Sequence, residues 1–309
     1  MSNTAEQSRS DERSERPDGD RSKASGNGFA TDMQISFRRW LLKTARNPFV
    51  TFTSLVQPII FFVLMAEVFG ALASGALSGS LGGVHYVTYL TPAIVLQSAL
   101  AAAAVSGIGL VDDMETGMFD KTLISPMNRA AMFAGKLGSE LVRIVVQMLI
   151  IFGLGYIFLS LTAGGSVDQY HQTGIGGLLG VLLVTVLFGG VFMAYSNIVA
   201  LLTRDREATI MVSNLLTFPL LFVSSAFLPL EALPTWIQTL AVVNPVTYGV
   251  DGLRALMLGK DVTTVIEISA FPGLWNTLAP AIAVLGGFVV VLGSIAVALL
   301  NRASRADVQ

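Results

Sequence analysis

Six long apolar segments alternate with polar stretches along the chain. Each segment is close to or above the roughly 20 residues that a helix needs to cross a bilayer. They cover residues 48–69, 86–111, 137–161, 175–202, 208–228 and 277–300. The pattern predicts an all-α integral membrane protein with six transmembrane helices. Pro58, Pro92 and Pro219 interrupt three of them within the bilayer, where neighbouring helices can satisfy the freed carbonyl groups.

Residues 32–46 have the pattern of a helix that lies in the membrane interface. Apolar side chains share one face and cations lie on the other: Met33, Phe37, Trp40 and Leu41 against Arg39, Lys43 and Arg46. We expect the apolar face at the acyl boundary and the cations toward anionic headgroups. A solvated linker with chance periodicity is the alternative.

The first 30 residues form a different region. They hold many charged residues and almost no large apolar side chain, a composition that cannot offset the entropy of ordering. We therefore expect a disordered cytoplasmic tail over residues 1–30 and a transmembrane domain over residues 31–309.

The distribution of cations predicts the orientation. Of the 19 lysines and arginines, all but Arg143, Arg254 and Lys260 lie before the first span, in the loops 112–136 and 203–207, or after the last span. Short loops rich in Lys and Arg stay in the cytoplasm. We expect both termini to be cytoplasmic, in a multi-pass protein of the cell membrane.

Residues 227–256 are apolar but are interrupted by prolines and charges. A seventh span here would place the basic C-terminus outside, so we expect a re-entrant segment that enters from the outer face, turns at its prolines and returns. Its marker residues are Pro229, Pro234, Trp236, Pro245 and Tyr248, with both aromatic rings expected at headgroup depth. An ordinary outside loop on the membrane surface is the alternative.

The loop of residues 112–129, "DDMETGMFDKTLISPMNR", carries the most information of the polar stretches. Asp112, Asp113 and Glu115 gather where a short helix would start, which suits the positive end of its dipole. Met118, Phe119 and Leu123 add an apolar surface beside these charges, of a kind that docks into a partner's groove. A solvated loop is the alternative.

Residues 115–126 together with 227–256 resemble the signature regions of ABC-2 type exporter permeases, particularly the daunorubicin-resistance-like branch. The resemblance extends over the whole chain from about residue 32. It implies a cytoplasmic coupling helix between spans 2 and 3 and an outer re-entrant helical segment between spans 5 and 6. By position, it assigns contact with an ATPase to Glu115, Gly117, Met118, Phe119, Leu123, Arg204 and Asp205, assisted by the interfacial helix.

The resemblance also implies the partners and the direction of transport. A separate cytoplasmic ATPase would bind ATP and Mg²⁺, and two permease copies with two ATPase copies would form the working unit in the lipid bilayer. The residues agree with this division, because the chain lacks the G-x-x-x-x-G-K-[ST] motif of a nucleotide site. We expect no cofactor bound by this chain, no role for nucleic acid, and export of an amphipathic or hydrophobic compound.

Two other function classes remain as alternatives. A secondary transporter or channel would work without an ATPase. A membrane enzyme is the weakest hypothesis, because the spans show no paired carboxylates, His-rich cluster or nucleophile motif. The two histidines, His85 and His171, lie in separate loops, and the chain has no cysteine, so we expect no metal site.

Two charged pairs lie in or beside the spans, and intramembrane charges are candidate functional groups. Glu140 and Arg143 are three residues apart near the cytoplasmic end of the third span, and we expect a structural pair rather than a substrate site. Asp251 and Arg254 have the same spacing, and we expect them to neutralise each other, with substrate gating as the alternative.

Overall fold

The computed structural model describes residues 28–73, 84–118, 127–166, 170–262, 264–265 and 271–306. Nearly all of the predicted tail falls outside these residues, and so do Phe119 and Leu123 of the predicted coupling helix. The described chain is all-α, which confirms the predicted fold class.

Nine α-helices make up the described part of the chain. In order they are α1 Phe29–Arg46, α2 Pro48–Ala73, α3 Tyr86–Glu115, α4 Arg129–Ala163, α5 Gly174–Thr203, α6 Arg206–Phe222, α7 Thr235–Ala241, α8 Pro245–Leu258 and α9 Trp275–Ala306. A short 3-10 helix, Leu230–Ala232, lies between α6 and α7.

Five of these helices, α2, α3, α4, α5 and α9, are long and apolar enough to cross a membrane. They correspond to five of the six predicted spans. The fifth predicted span, residues 208–228, differs from its prediction: α6 has 17 residues and ends at Phe222. The chain then continues to residue 228 without regular helix.

This fifth segment still runs along most of the length of α3. At one end Arg206 forms an ion pair with Asp112, and at the other the Tyr86 hydroxyl donates to the Phe227 carbonyl at 3.1 Å. The α3 helix between these points is about 39 Å long. The α6 helix supplies about 25 Å, and extended residues of up to about 3.3 Å each can supply the remainder.

The bundle therefore has two distinct ends. We call the one that holds α1, Asp112 and Arg206 the basic end, and the one that holds Tyr86 the opposite end. Leu300 near the end of α9 packs with Leu110 and Leu201 at the basic end, so α1 and the end of α9 lie on the same side. This agrees with the predicted even number of crossings.

The α3 helix occupies the centre of the bundle. It contacts α2, α4, α5, α6 and α8, and all of its residues from Tyr86 to Leu100 are buried. It begins at His85, whose Nδ1 accepts a hydrogen bond from the Val87 N–H at 3.3 Å. Burial lowers the pKa of His85, and the neutral imidazole is the form that can accept this bond.

The residues between α6 and α9 form a re-entrant segment, as predicted. Pro229, Pro234 and Pro245 each stand at the start of a helix, where a missing N–H costs little. The α8 helix runs antiparallel to α5. A Cβ built on Gly249 would be 3.0 Å from Phe188, whereas the Met257 carbonyl accepts from the Gln172 N–H at 2.8 Å, just before α5 begins.

The inner end of α8 therefore reaches about 21 Å along α5 from the opposite end. Trp236 on α7 is 62% exposed, but Tyr248 is 7% exposed and adjoins Gly249 at the inner end of α8. Tyr248 is therefore enclosed by the bundle, and its position at headgroup depth stays a prediction. The prediction relied on the preference of tyrosine for the membrane interface, whereas the position of Tyr248 depends on how α8 packs into the bundle.

Asn244 joins the re-entrant segment to the fifth crossing. Its side-chain oxygen accepts from the Val246 N–H at 2.9 Å and begins α8. Its amide nitrogen donates to the Leu220 carbonyl at 2.7 Å and also to the Val223 carbonyl. Carbonyl groups at a helix end lack intrahelical donors, so Asn244 both starts α8 and satisfies the end of α6.

We predict that Asn244→Ala lowers the stability of the purified protein by about 1–4 kcal/mol, because a helix cap and the donor to two carbonyl groups are lost. Asn244→Ser keeps an oxygen that can cap α8 but lacks the amide donor, so an intermediate loss is expected. Thermal unfolding in detergent measures both. An alanine variant as stable as the unmodified protein would contradict this role.

Candidate functional site at the basic end

An open cleft of about 570 Å³ lies on the basic end. It is bordered by side chains from α1, from the end of α3 and from the start of α6: Arg39, Lys43, Asp112, Asp113, Glu115, Thr116, Met118 and Arg206. We call it the basic-end cleft. It brings together three regions that the sequence predicted to act jointly: the interfacial helix, the loop after the second span and the turn of residues 203–207.

Asp113 holds the first two of these regions together. Its carboxylate accepts from Arg39 Nη2 at 2.8 Å and from Lys43 Nζ at 2.9 Å, and its side chain is 11% exposed. Asp113 lies in the last turn of α3, where the helix dipole disfavours negative charge. The two α1 cations offset this cost, so the ion pairs attach α1 to the end of α3.

This position corrects a prediction. Asp112, Asp113 and Glu115 were expected at the start of a new helix, but they form the final turn of α3. The helix ends at Glu115, and two residues later Gly117 has a left-handed φ of 65°, which favours glycine. The predicted coupling residue Gly117 thus stops the second span. Met118 follows, 40% exposed, at the edge of the cleft.

The turn between α5 and α6 supplies the third part of the cleft. Arg206 Nη1 lies 3.1 Å from Asp112 Oδ1 and links α6 to α3. Arg204 has a left-handed backbone with φ 49°, and Asp205 caps α6 by accepting from the Ala208 N–H at 2.7 Å. Arg204 and Asp205 shape the turn, whereas Arg206, which was not among the predicted coupling residues, lines the cleft.

The packing of α1 also differs from the expectation. Its buried stripe is Asp32, Ser36 and Trp40, and it lies against α4: Asp32 Oδ2 accepts from the Asn128 N–H at 2.7 Å, and Ser36 Oγ donates to the Met132 carbonyl at 2.6 Å. The prediction that the Trp40 ring faces the acyl boundary is wrong, because Trp40 is 6% exposed.

Close contact between α1 and α4 depends on a small residue. A Cβ built on Gly135 would lie 2.3 Å from the Met33 carbonyl oxygen, so a larger residue would force the two backbones apart. The ring of Phe37 lies over Gly138 one turn further along α4. Phe37 therefore contacts α4 as well and is only half-buried.

The Trp40 ring lies among the cations of the basic end. Lys43 Nζ is 4.4 Å, Lys136 Nζ 5.1 Å and the Arg39 guanidinium carbon 5.2 Å from its centroid. Cations are attracted to the face of an indole ring within about 6 Å. Trp40 thus adds a second attachment between α1 and the bundle.

Lys136 organises a buried polar cluster behind the cleft. Its ammonium group donates to the Ser106 carbonyl at 2.9 Å and to Asn197 Oδ1 at 2.8 Å, and it pairs with Glu140 at 3.2 Å. Both charged side chains are almost fully buried. This cluster connects α3, α4 and α5 at one level of the bundle.

The cluster corrects two sequence expectations. Lys136 was counted as a loop cation, but it is buried inside α4. Glu140 was expected to pair with Arg143, but its ion pair is with Lys136. Arg143 instead donates to the Ala102 carbonyl at 2.7 Å. Both spacings allow contact along a helix, so packing against α3 and α5 selects the partner.

The second charged pair anchors the re-entrant segment. Arg254 lies 3.9 Å from Asp251, a long ion pair, and donates to the carbonyls of Tyr89 at 3.1 Å and Ala226 at 2.8 Å. Asp251 accepts from the Ser225 hydroxyl at 2.7 Å. The two charges are therefore adjacent, as expected, but their shorter hydrogen bonds tie α8 to α3 and to the end of the fifth crossing.

Comparison with known proteins gives a consistent result. The chain matches the family described as ABC-2 type transporter over residues 31–258. It is 28% identical over 229 residues to a daunorubicin resistance ABC transporter permease protein, DrrB1, of Streptomyces coeruleorubidus, covering 73% of this chain and 75% of that protein. It is 30% identical over 228 residues to a putative transport permease, ycf38, of Pyropia yezoensis, covering 73% of each.

A third relative is a probable doxorubicin resistance ABC transporter permease protein, DrrC, of Mycobacterium tuberculosis (strain ATCC 25618 / H37Rv). The identity is 25% over 236 residues, covering 76% of this chain and 79% of that protein. The matched region, residues 31–258, includes all residues of the basic-end cleft and the re-entrant segment as far as the end of α8.

We predict that Asp113→Asn loosens α1 from α3, because the substitution removes the charge that both α1 cations bind. Loss of charge-assisted hydrogen bonds worth about 1.5–3 kcal/mol corresponds to at least about ten-fold faster amide exchange in the second half of α1. Hydrogen exchange measures this. Glu115→Gln, which changes an exposed carboxylate in the same turn, is the matched control and should leave the exchange of α1 unchanged.

We also predict that Lys136→Met destabilises the protein by about 3–5 kcal/mol, because Glu140 is left buried without its cation. The double substitution Lys136→Met with Glu140→Gln removes that charge and should recover part of the loss. Chemical or thermal unfolding in detergent gives the comparison. A double variant no more stable than Lys136→Met would show that the ion pair is not the cause.

Proposed function

Because the chain belongs to the ABC-2 type transporter family, as the transmembrane permease of an ABC transporter, we propose that it exports an amphipathic or hydrophobic compound from the cytoplasm. A separate ATPase subunit supplies the energy by docking at the basic-end cleft. The observation that carries this proposal is the convergence of α1, the end of α3 and the start of α6 on one charged, open surface.

The cleft is suited to receive a movement and to pass it on. A partner that presses on Met118 and Glu115 acts directly on the end of α3. Asp113 transfers that displacement to α1, and the Asp112–Arg206 pair transfers it to α6. The Lys136 cluster extends the connection to α4 and α5. Tilting of the spans would then open and close a path between the two ends.

The re-entrant segment would take part in the same movement. Asn244 bonds the end of α6, and Arg254 bonds α3, so displacement of either helix acts on α8. Since α8 extends into the bundle from the opposite end, its position would determine whether the path is open there. The permease makes and breaks no covalent bond in this mechanism. ATP and Mg²⁺ belong to the partner subunit.

The working unit would contain two permease copies and two ATPase copies, as the family resemblance implies. Large apolar side chains on α2 and α6 are exposed on a single chain, among them Phe52 and Ile60 on α2 and Met211 and Leu215 on α6. These surfaces suit contact with a second copy or with lipid. A homodimer would enclose the transported compound between the two copies.

The charges and the relatives support the proposed location and substrate class, whereas the outward direction rests on the family resemblance. The basic end would face the cytoplasm of the cell membrane because positively charged loops remain there, which places both termini inside. The relatives named for daunorubicin and doxorubicin resistance support an amphipathic, drug-like or lipid-like compound as the substrate class.

We predict that Glu115→Lys and Met118→Asp each reduce ATP-dependent transport by about ten-fold or more, the equivalent of about 1.4 kcal/mol of coupling. Both side chains are exposed at the cleft, so the permease should fold normally. The measurement is uptake into vesicles that contain the permease and its ATPase, with the ATPase turnover recorded in parallel. Arg38→Gln, which removes an exposed cation on α1, is the control.

The same vesicles distinguish the alternative of a secondary transporter or channel. Permease without the ATPase should move no compound against its gradient. Uphill transport by the permease alone, or full transport by both cleft variants, would overturn the proposed function.

A further inference from the structure

Arg143 is a buried cation without a carboxylate partner among the described residues. Its side chain belongs to α4 and is 8% exposed. Nη2 donates to the Ala102 carbonyl, but Nε has no hydrogen-bond partner. The nearby Glu140 is paired with Lys136. An uncompensated charge inside a membrane protein is costly and marks a candidate binding site for an opposite charge.

Two cavities meet at this arginine. The more polar cavity, of about 180 Å³, extends from Arg143 to the basic end and is lined by Lys43, Glu140 and Arg206 among others. An apolar cavity of about 360 Å³ lies between α1, α2 and α4 and is lined by Phe52, Leu55 and Val146 among others. Arg143, Thr44 and Thr51 border both. We call the two together the α1–α2–α4 groove.

Arg143 lies in the half of the bundle that is nearer the basic end. Its partner Ala102 lies about 24 Å along α3 from Tyr86 at the opposite end. The hydrocarbon layer of a bilayer is about 30 Å thick. A groove that is polar toward the basic end and apolar beside α2 therefore has the same order of chemical groups as a lipid of that leaflet.

We propose that the α1–α2–α4 groove binds an anionic phospholipid of the leaflet at the basic end. The lipid phosphate accepts hydrogen bonds from Arg143, and an acyl chain lies along Phe52, Leu55 and Val146. Glu140 Oε2, a buried acceptor without a partner, receives a hydroxyl of the headgroup. Phosphatidylglycerol provides the phosphate, the hydroxyl groups and the chains.

The charge balance favours an anionic headgroup over a zwitterionic one. Of the other cations around the groove, Lys43 pairs with Asp113, Arg206 with Asp112, and Lys136 with Glu140. Asp113 is shared with Arg39, and Glu140 lies on the same helix as Lys136 and Arg143, so this set of two cations and one carboxylate on α4 carries one net positive charge. A headgroup with one net negative charge neutralises it, whereas phosphatidylcholine and phosphatidylethanolamine bring no net charge.

Lipid retention tests the proposal. The full-length permease is reconstituted with equal amounts of phosphatidylglycerol, phosphatidylcholine and phosphatidylethanolamine and is then extracted in mild detergent. Native mass spectrometry identifies and quantifies the lipids that stay bound. The unmodified protein should retain phosphatidylglycerol about ten-fold over the other lipids, because their headgroup cations would lie close to Arg143. Ten-fold retention corresponds to an electrostatic preference of about 1.4 kcal/mol. Arg143→Gln should abolish this preference, whereas Arg143→Lys should keep most of it and the surface variant Arg38→Gln all of it.

The apolar part of the groove is tested separately. Val146→Trp fills the space beside Leu55 while leaving Arg143 in place, so it should lower phosphatidylglycerol retention about ten-fold. Val146 is 45% exposed, so this variant should fold even if Arg143→Gln does not. Glycerol 3-phosphate, which carries an anionic phosphate but no chain, should not displace the lipid.

Several outcomes would overturn the proposal: equal retention of the three lipids, a preference for phosphatidylethanolamine, displacement by glycerol 3-phosphate, or unchanged retention in Val146→Trp. Because the experiment contains no ATPase and measures no transport, its failure would leave the proposed export function unaffected. Conversely, lipid binding would persist if export were disproved.

Discussion

The attachment of α1 to the end of α3 through Asp113 is the interaction on which the basic end depends. A carboxylate in the last turn of a helix is unfavourable by itself, so Asp113 is stable only while Arg39 and Lys43 remain beside it. The same ion pairs hold α1 across the bundle and form one wall of the cleft. Stability and the surface proposed for ATPase contact therefore rest on the same three side chains.

Buried polar contacts continue this attachment through the bundle. Lys136 bonds α3 and α5 from α4, Asn244 bonds the end of α6, and Arg254 bonds α3 from the re-entrant segment. Between apolar helices, a buried polar group that loses its partner is costly. These contacts favour movement of whole helices over local rearrangement. Arg143 bonds the Ala102 carbonyl of α3 but forms no ion pair among the described residues, and its Nε has no hydrogen-bond partner. It is for this reason the point at which a lipid is proposed to complete the structure.

Much of the fold could be predicted from the sequence, because the bilayer imposes simple rules on length and composition. The spans appear in the sequence as long apolar runs, and the interfacial helix appears as a helical period of apolar and basic residues. The re-entrant segment appears as an apolar stretch that prolines interrupt. The length of α6 could not be predicted from the sequence. Its apolar pattern continues to residue 228, but the helix ends at Phe222, and the amide of Asn244 in the re-entrant segment donates to carbonyl groups at this end. Such a contact forms only once the two segments have packed.

The sequence by itself determined which segments lie in the membrane, which end is basic and which loops converge there, since hydrophobicity and charge are local properties. Only the tertiary structure decided the partners of the charges. Glu140 can reach Lys136 or Arg143 along one helix, and Trp40 can face lipid or protein. The choice depends on Ser106, Asn197 and α4, which are distant in sequence. Pairing energies inside a bundle depend on burial and geometry, and neither is defined until the helices pack.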